Sequence, residues 1–142
     1  MKKLLFGLTV LLLTACTPKP QAINYGTDKC DFCRMTIVDK QHAAEVVTAK
    51  GKAFKFDAIE CMINYTNERD ANEFALFLVN DYLTPGALID ATKSTYLISP
   101  NIPSPMGAFL SAFESPAQAQ ATQAKQGGDL YDWGQIKTHF EK

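Results

Sequence analysis

Ala43-Ala44-Glu45-Val46-Val47-Thr48-Ala49-Lys50-Gly51-Lys52-Ala53-Phe54-Lys55-Phe56-Asp57-Ala58-Ile59-Glu60 carries the pattern that decides the fold. Residues 43–48 form a strand-length run rich in Ala and Val. Residues 49–52 form a turn around Gly51, and residues 53–56 alternate apolar and polar side chains. That combination predicts a β-hairpin. Asp57 followed by Glu60 three residues on resembles a capping box, which opens a helix through about Asn67. The apolar run 74–79 then has the length of a buried central strand. Upstream, residues 34–38 form a further short candidate strand. The aromatic residues Phe54, Phe56, Phe74, Phe77, Phe109 and Phe113 are expected in the core.

A similar order returns downstream. Residues 88–91 and 95–98 read as strands, and residues 99–105, with three prolines, as a loop. Ser115-Pro116-Ala117-Gln118 supplies an N-cap, a proline for the first helical position and a capping glutamine. The Ala- and Gln-rich helix that follows stops at Gly127-Gly128, where glycine accommodates the left-handed backbone that ends helices. Residues 130–133 make a last strand and residues 135–141 a final helical turn or two. The expected class is α+β, built from two small ββαβ units packed into one body over residues 28–142, with halves at about 28–85 and 86–142.

The N-terminus has a different character. Lys2 and Lys3 precede an apolar run, residues 4–13, that is shorter than the ~20 residues of a membrane span. The run ends in Leu13-Thr14-Ala15-Cys16, which resembles the cleavage and acylation site of bacterial lipoproteins. Residues 1–15 are then a signal peptide. Cys16 receives acyl chains such as palmitate, and residues 16–27 form a flexible tether. The 142-residue chain carries 14 basic and 15 acidic side chains with no basic stripe, which argues against nucleic acid as a partner. Nothing in the chain resembles a Ser-His-Asp set, paired carboxylates or a phosphate-cradling loop, so neither an enzyme nor a small-molecule substrate is expected.

With Cys16 acylated, Cys30, Cys33 and Cys61 remain. An odd number in an oxidising compartment leaves at least one thiol unpaired, and a soft metal is one use for it. In Cys30-Asp31-Phe32-Cys33-Arg34-Met35, two thiolates can converge on one ion and a thioether can join them. Thiolate with thioether favours cuprous copper, whereas zinc sites use Cys, His and carboxylate. Cys61 and Met62 at the start of the predicted helix are further candidates, and the helix N-terminus is expected to lower the Cys61 thiol pKa. Asp57 is read as the cap of that helix. Met106, between Pro105 and Gly107, is placed to present its sulfur from a loop. His42 and His139 are expected at the surface. Two alternatives stand beside copper: a structural zinc scaffold using Cys30, Cys33 and Cys61 with His42 as the candidate fourth ligand, and a thiol–disulfide oxidoreductase using Cys30 and Cys33. The oxidoreductase lacks the apolar strand before and the helix after its Cys-x-x-Cys.

The lipobox, Cys-x-x-Cys-x-Met-x-Ile (Cys30, Cys33, Met35, Ile37), Phe-Asp-x-Ile-Glu-Cys-Met (residues 56–62) and Ser-Pro-Met-Gly (residues 104–107) together resemble the NosL family. These are nitrous oxide reductase accessory lipoproteins that chaperone copper. The resemblance implies a pair of ββαβ units, copper-associated roles for Cys33 and Met35, and a match of Met106 to the family's Met-Gly position. It also implies a bacterial lipoprotein facing the periplasm and held to the membrane by its lipid. Cuprous copper would be passed to nitrous oxide reductase or its membrane assembly machinery, with no catalysis by the chain itself.

Overall fold

The computed structural model describes residues 17–141. The expected signal peptide, residues 1–15, and the expected acylation site at Cys16 lie outside the described residues. In chain order the elements are β1 (Ala44–Thr48), β2 (Ala53–Phe56), α1 (Ile59–Asn67), β3 (Phe74–Asn80), β4 (Leu88–Asp90), β5 (Thr95–Ile98), β6 (Leu110–Phe113), α2 (Pro116–Gln126), β7 (Asp129–Tyr131) and α3 (Trp133–His139). Two antiparallel sheets result, ordered β2-β1-β3-β4 and β6-β5-β7. The α+β class and the two ββαβ units are therefore present, as β1-β2-α1-β3 and β5-β6-α2-β7.

The hairpin forms where the opening stretch predicts it, with Ala44 opposite Phe56 and Val47 opposite Ala53. Gly51 sits in the turn at φ 87°, a conformation that glycine adopts without strain. β3 pairs with the far side of β1, so β1 and β3 are the inner strands. Every residue of β1 is buried, which fits a run with little polar alternation. Helix α1 is buried on most sides (Ile59, Glu60, Cys61, Met62, Ile63, Tyr65 and Thr66), as expected of a central helix.

The main core lies between the sheets. It joins Ala44, Val46, Phe56 and Val79 of the first sheet, Ile59, Met62 and Ile63 of α1, Tyr96, Leu110 and Ala112 of the second sheet, and Ile136 of α3. A smaller core on the other face of the second sheet joins Leu97, Phe113, Ile102 and Ala119 of α2. Tyr96 and Leu97 thus serve opposite faces, following the two-residue period of a strand.

Several expectations are corrected. Residues 34–38 form no strand. Arg34 has φ 70°, and the chain folds back as a tight loop in which only Lys29 and Thr36 make a β-bridge. The strand predicted at 88–91 pairs with β3 in the first sheet, and the second unit takes its second strand from residues 110–113 instead. Helix α1 has Ala58 at its N-cap with no side-chain cap bond, so Asp57 and Glu60 do not form a capping box. A capping box does exist at α3. There Asp132 Oδ1 accepts from the Gln135 amide at 2.8 Å, and Gln135 Oε1 accepts from the Asp132 amide at 2.9 Å. Ser115 holds the N-cap position of α2 but makes no side-chain cap bond, leaving Pro116 to open the helix.

At the far end of α2, Gly127 (φ 74°) stops the helix, and Gly128 (φ 101°) passes so close to the Ile98 carbonyl that a Cβ would collide with it. Phe109 is exposed, not core, and also has positive φ (56°). His42 is buried, not exposed; His139 is exposed as expected.

The stretch read as tether also differs from expectation. From Gln21 onward it is tied to the first sheet. The Gln21 amide donates to Glu45 Oε1 at 2.7 Å, Lys55 Nζ donates to the Ala22 carbonyl at 2.6 Å, and the Tyr25 hydroxyl bonds Asn80 Oδ1 at 3.0 Å. Ile23 is buried. These bonds take up donors and acceptors that a polar stretch would otherwise leave to water.

Candidate metal centre

The cysteine loop owes its position to the edge of the first sheet. β2 is an edge strand, and the loop closes part of that edge: the Asp31 amide donates to the Lys55 carbonyl at 2.8 Å, and the Lys55 amide returns a bond to Asp31 Oδ2 at 2.8 Å. The Lys55 ammonium holds Asp28 Oδ2 at 2.6 Å, which keeps the Asp28 carboxyl below the usual carboxylate range. Within the loop, the Cys30 amide bonds the Met35 carbonyl at 2.8 Å, the Arg34 amide bonds the Cys30 carbonyl at 3.0 Å, and the Ile37 amide bonds the Asp28 carbonyl at 2.9 Å. Closing so short a loop forces Arg34 into the left-handed region. Such conformations in residues other than glycine cost of order 1 kcal/mol and concentrate at functional sites.

β2 then delivers the chain through Phe56 and Asp57 into α1, directly beside this loop. Cys30, Cys33, Asp57 and Cys61 come together there, with one ligand atom from each lying within 4.8 Å of the others. Cys30 and Cys61 are buried, Cys33 is half-buried, and no disulfide joins them. The Cys33 thiol donates to Asp57 Oδ1 at 3.3 Å, and the Cys33 amide donates to Cys30 Sγ at 3.4 Å.

The electrostatics differ from expectation. Cys61, expected to be the acidic thiol at the helix N-terminus, is pushed up because it donates its proton toward Cys30. Cys30 is the thiol brought down, to about 6, chiefly by that bond from Cys61 against the cost of its own burial, with help from the amides of Cys33, Asp57 and Phe32. Burial raises Cys33 to about 11, and its bond to Asp57 adds to the effect. A thiolate at Cys30, fed by several N–H and S–H donors, makes the cluster a ready acceptor for a soft cation.

The methionines divide. Met35 and Met106 are exposed (55% and 41%), whereas Met62 is fully buried in the main core. Met106 is the third residue of a turn in which the Gly107 amide bonds the Ser104 carbonyl at 3.0 Å, with Gly107 at φ 77°. The Ser104 hydroxyl also accepts from the Phe109 amide at 2.9 Å, so the Ser-Pro-Met-Gly motif is a braced turn with the thioether near its tip. The Ala108 amide donates to Glu60 Oε1 at 3.3 Å, which ties this turn to the first turn of α1, beside Cys61.

Asp57 is the group that sequence reading misassigned. An aspartate just before a helix is locally indistinguishable from a cap. Its spacing of four residues from Cys61 was the only available signal of a shared role. The fold also builds a constellation that sequence reading did not anticipate. His42 Nδ1 lies 3.1 Å from Asp39 Oδ1, and His42 Nε2 lies 3.1 Å from Ser111 Oγ. Ser111 is completely buried, so this Asp-His-Ser chain has no access for a substrate. It links the approach to β1 with β6 of the second sheet.

A two-sheet α+β body with three cysteine sulfurs and a carboxylate converging at one edge, only Cys33 of them partly open to solvent, defines a protein that could hold a metal ion there. The family model for NosL matches residues 21–140, and the chain belongs to the NosL family. Its fold is similar to that of the copper chaperone NosL from Shewanella denitrificans in its crystal structure. The TM-score is 0.71 at 23% sequence identity, over 83% of this chain and 95% of that one. No curated protein matches the chain. No helix among the described residues is long and apolar enough to cross a membrane.

Proposed function

We propose that this protein is an extracytoplasmic chaperone that carries cuprous copper and is anchored to a bacterial membrane through acylated Cys16. The observation that carries the proposal is the convergence of Cys30, Cys33 and Cys61, in a NosL fold, beside two loops that each expose a methionine. Three sulfurs hold the ion, and Met35 and Met106 supply thioether donors from the solvent side. Soft donors of this kind select a soft cation. Met62 is assigned to the core. A partner's ligand enters from the exposed side, and the ion passes through shared coordination without any acid or base. The copper sites of nitrous oxide reductase, reached directly or through its membrane assembly machinery, are the destination this reading assigns.

A second reading is favoured by one specific observation. Cys30, Cys33, Cys61 and Asp57 form a complete four-donor set of the kind zinc accepts. Competition between the two ions separates the readings. Reduced, oxygen-free protein is titrated with cuprous ions and with zinc, and the titrations are repeated on Met35→Leu. The chaperone reading expects cuprous ions to displace zinc, and expects Met35→Leu to weaken cuprous binding alone. Zinc that saturates the cysteines and resists cuprous ions would establish the scaffold in its place. Cys16→Ser should release the protein from the membrane and leave both titrations unchanged.

A further inference from the structure

We propose that Glu60 is the positioning residue that holds the Met106 turn in place beside the thiol cluster, a role that rests on the chaperone reading above. Glu60 sits on the first turn of α1, next to Cys61, and is buried. One carboxyl oxygen accepts from the Ala108 amide at 3.3 Å. The other is buried and has no partner among the described residues. An unpaired buried carboxyl oxygen is costly, and an apolar side chain of similar size would be cheaper for folding alone. The residue therefore needs a reason beyond packing, and its bond to the Ala108 amide in the other half of the chain supplies one.

The Met106 turn belongs to the second half of the molecule. The Ser99 amide, just past β5, bonds the Phe109 carbonyl at 3.1 Å, and Ser104 bonds to Phe109 and Gly107 within the turn. All of those bonds lie within residues 99–109. The Ala108–Glu60 bond reaches across to α1, the element that carries Cys61. Phe109, immediately after Ala108, is held at φ 56°, a strained conformation that persists only when its surroundings fix it. Glu60 thus sets one half's thioether in register with the other half's thiols.

A double-mutant cycle tests this on the full-length protein in detergent, reduced and oxygen-free, with cuprous ions competed against a chromophoric cuprous chelator. Glu60→Leu fills the site without an acceptor and folds on the reasoning above; Glu60→Gln keeps the acceptor. Met106→Leu should weaken cuprous binding about tenfold in the wild type and in the Glu60→Gln background, and less than about twofold once Glu60 is Leu. In the metal-free protein, Glu60→Leu should speed hydrogen exchange at the Ala108 amide while Glu60→Gln leaves it slow. A tenfold effect of Met106→Leu that persists in the Glu60→Leu background overturns the positioning role and leaves the copper reading standing. A Met106→Leu effect absent from the wild type removes Met106 from the site and the proposal with it.

Discussion

Met35→Leu separates metal binding from folding. The side chain is 55% exposed on the cysteine loop. Leu matches it in volume and apolar character, so the change in unfolding free energy should stay within about 0.5 kcal/mol, as for surface positions generally. Met62→Leu is the internal control. Met62 is completely buried among Ile59, Ile63 and Phe56, and the same swap there should cost up to about 1.5 kcal/mol through altered shape. For copper the order reverses. Met35→Leu should weaken cuprous affinity about tenfold, equivalent to ~1.4 kcal/mol, while Met62→Leu leaves it unchanged. Urea unfolding of the metal-free proteins measures the first quantity and chelator competition the second. The reasoning is refuted if Met62→Leu weakens copper binding and Met35→Leu does not.

His42→Ala should destabilise the fold by about 3 kcal/mol, since it removes a buried ring and strands Ser111 Oγ; urea midpoints should show Ser111→Ala costing less, on the order of 1 kcal/mol. Cuprous affinity should rise with pH, because Cys33, raised to about 11, and Cys61, pushed up by its bond to Cys30, are protonated at neutral pH and must release their protons to solvent when the ion binds, whereas Cys30 at about 6 has already lost its own. Each displaced proton contributes about tenfold per pH unit, so chelator competition across pH 7 to 8 should give a slope that Cys33→Ser lowers by about one. Asp57→Asn removes a charged acceptor from the Cys33 thiol and lowers its pKa, so Cys33 should alkylate faster at pH 8 by mass spectrometry. Unchanged alkylation would show that Asp57 does not hold the Cys33 proton.

Local pattern made much of the fold legible. The β1–β2 hairpin, the end of α1 at Asn67, β3 and β5 lie where turn residues and apolar runs place them, because those signals act within a few residues. The cysteine loop was not legible. Thr36-Ile37-Val38 is strand-prone, but the loop is closed by bonds between residues 28–30 and 34–37 and is pinned to Lys55, well downstream. His42 reads as a lone surface histidine until β6 brings Ser111 against it from 69 residues away. β6 is itself only four residues long, with a buried serine inside it, which gives weak strand alternation. At the site, the cysteines and the exposed methionines were visible as residue types. Asp57 was hidden because a cap and a ligand-side carboxylate look alike at a helix start, and the acidity of Cys30 depends on donors from Cys61 and Asp57 that only the fold assembles.

X-ray absorption at the copper edge of the anaerobically loaded, full-length protein tests the central claim most directly. The account predicts cuprous copper in a sulfur-dominated shell whose sulfur count falls in Cys33→Ser and in Met35→Leu. A shell dominated by nitrogen and oxygen, or a sulfur shell indifferent to both substitutions, would contradict it.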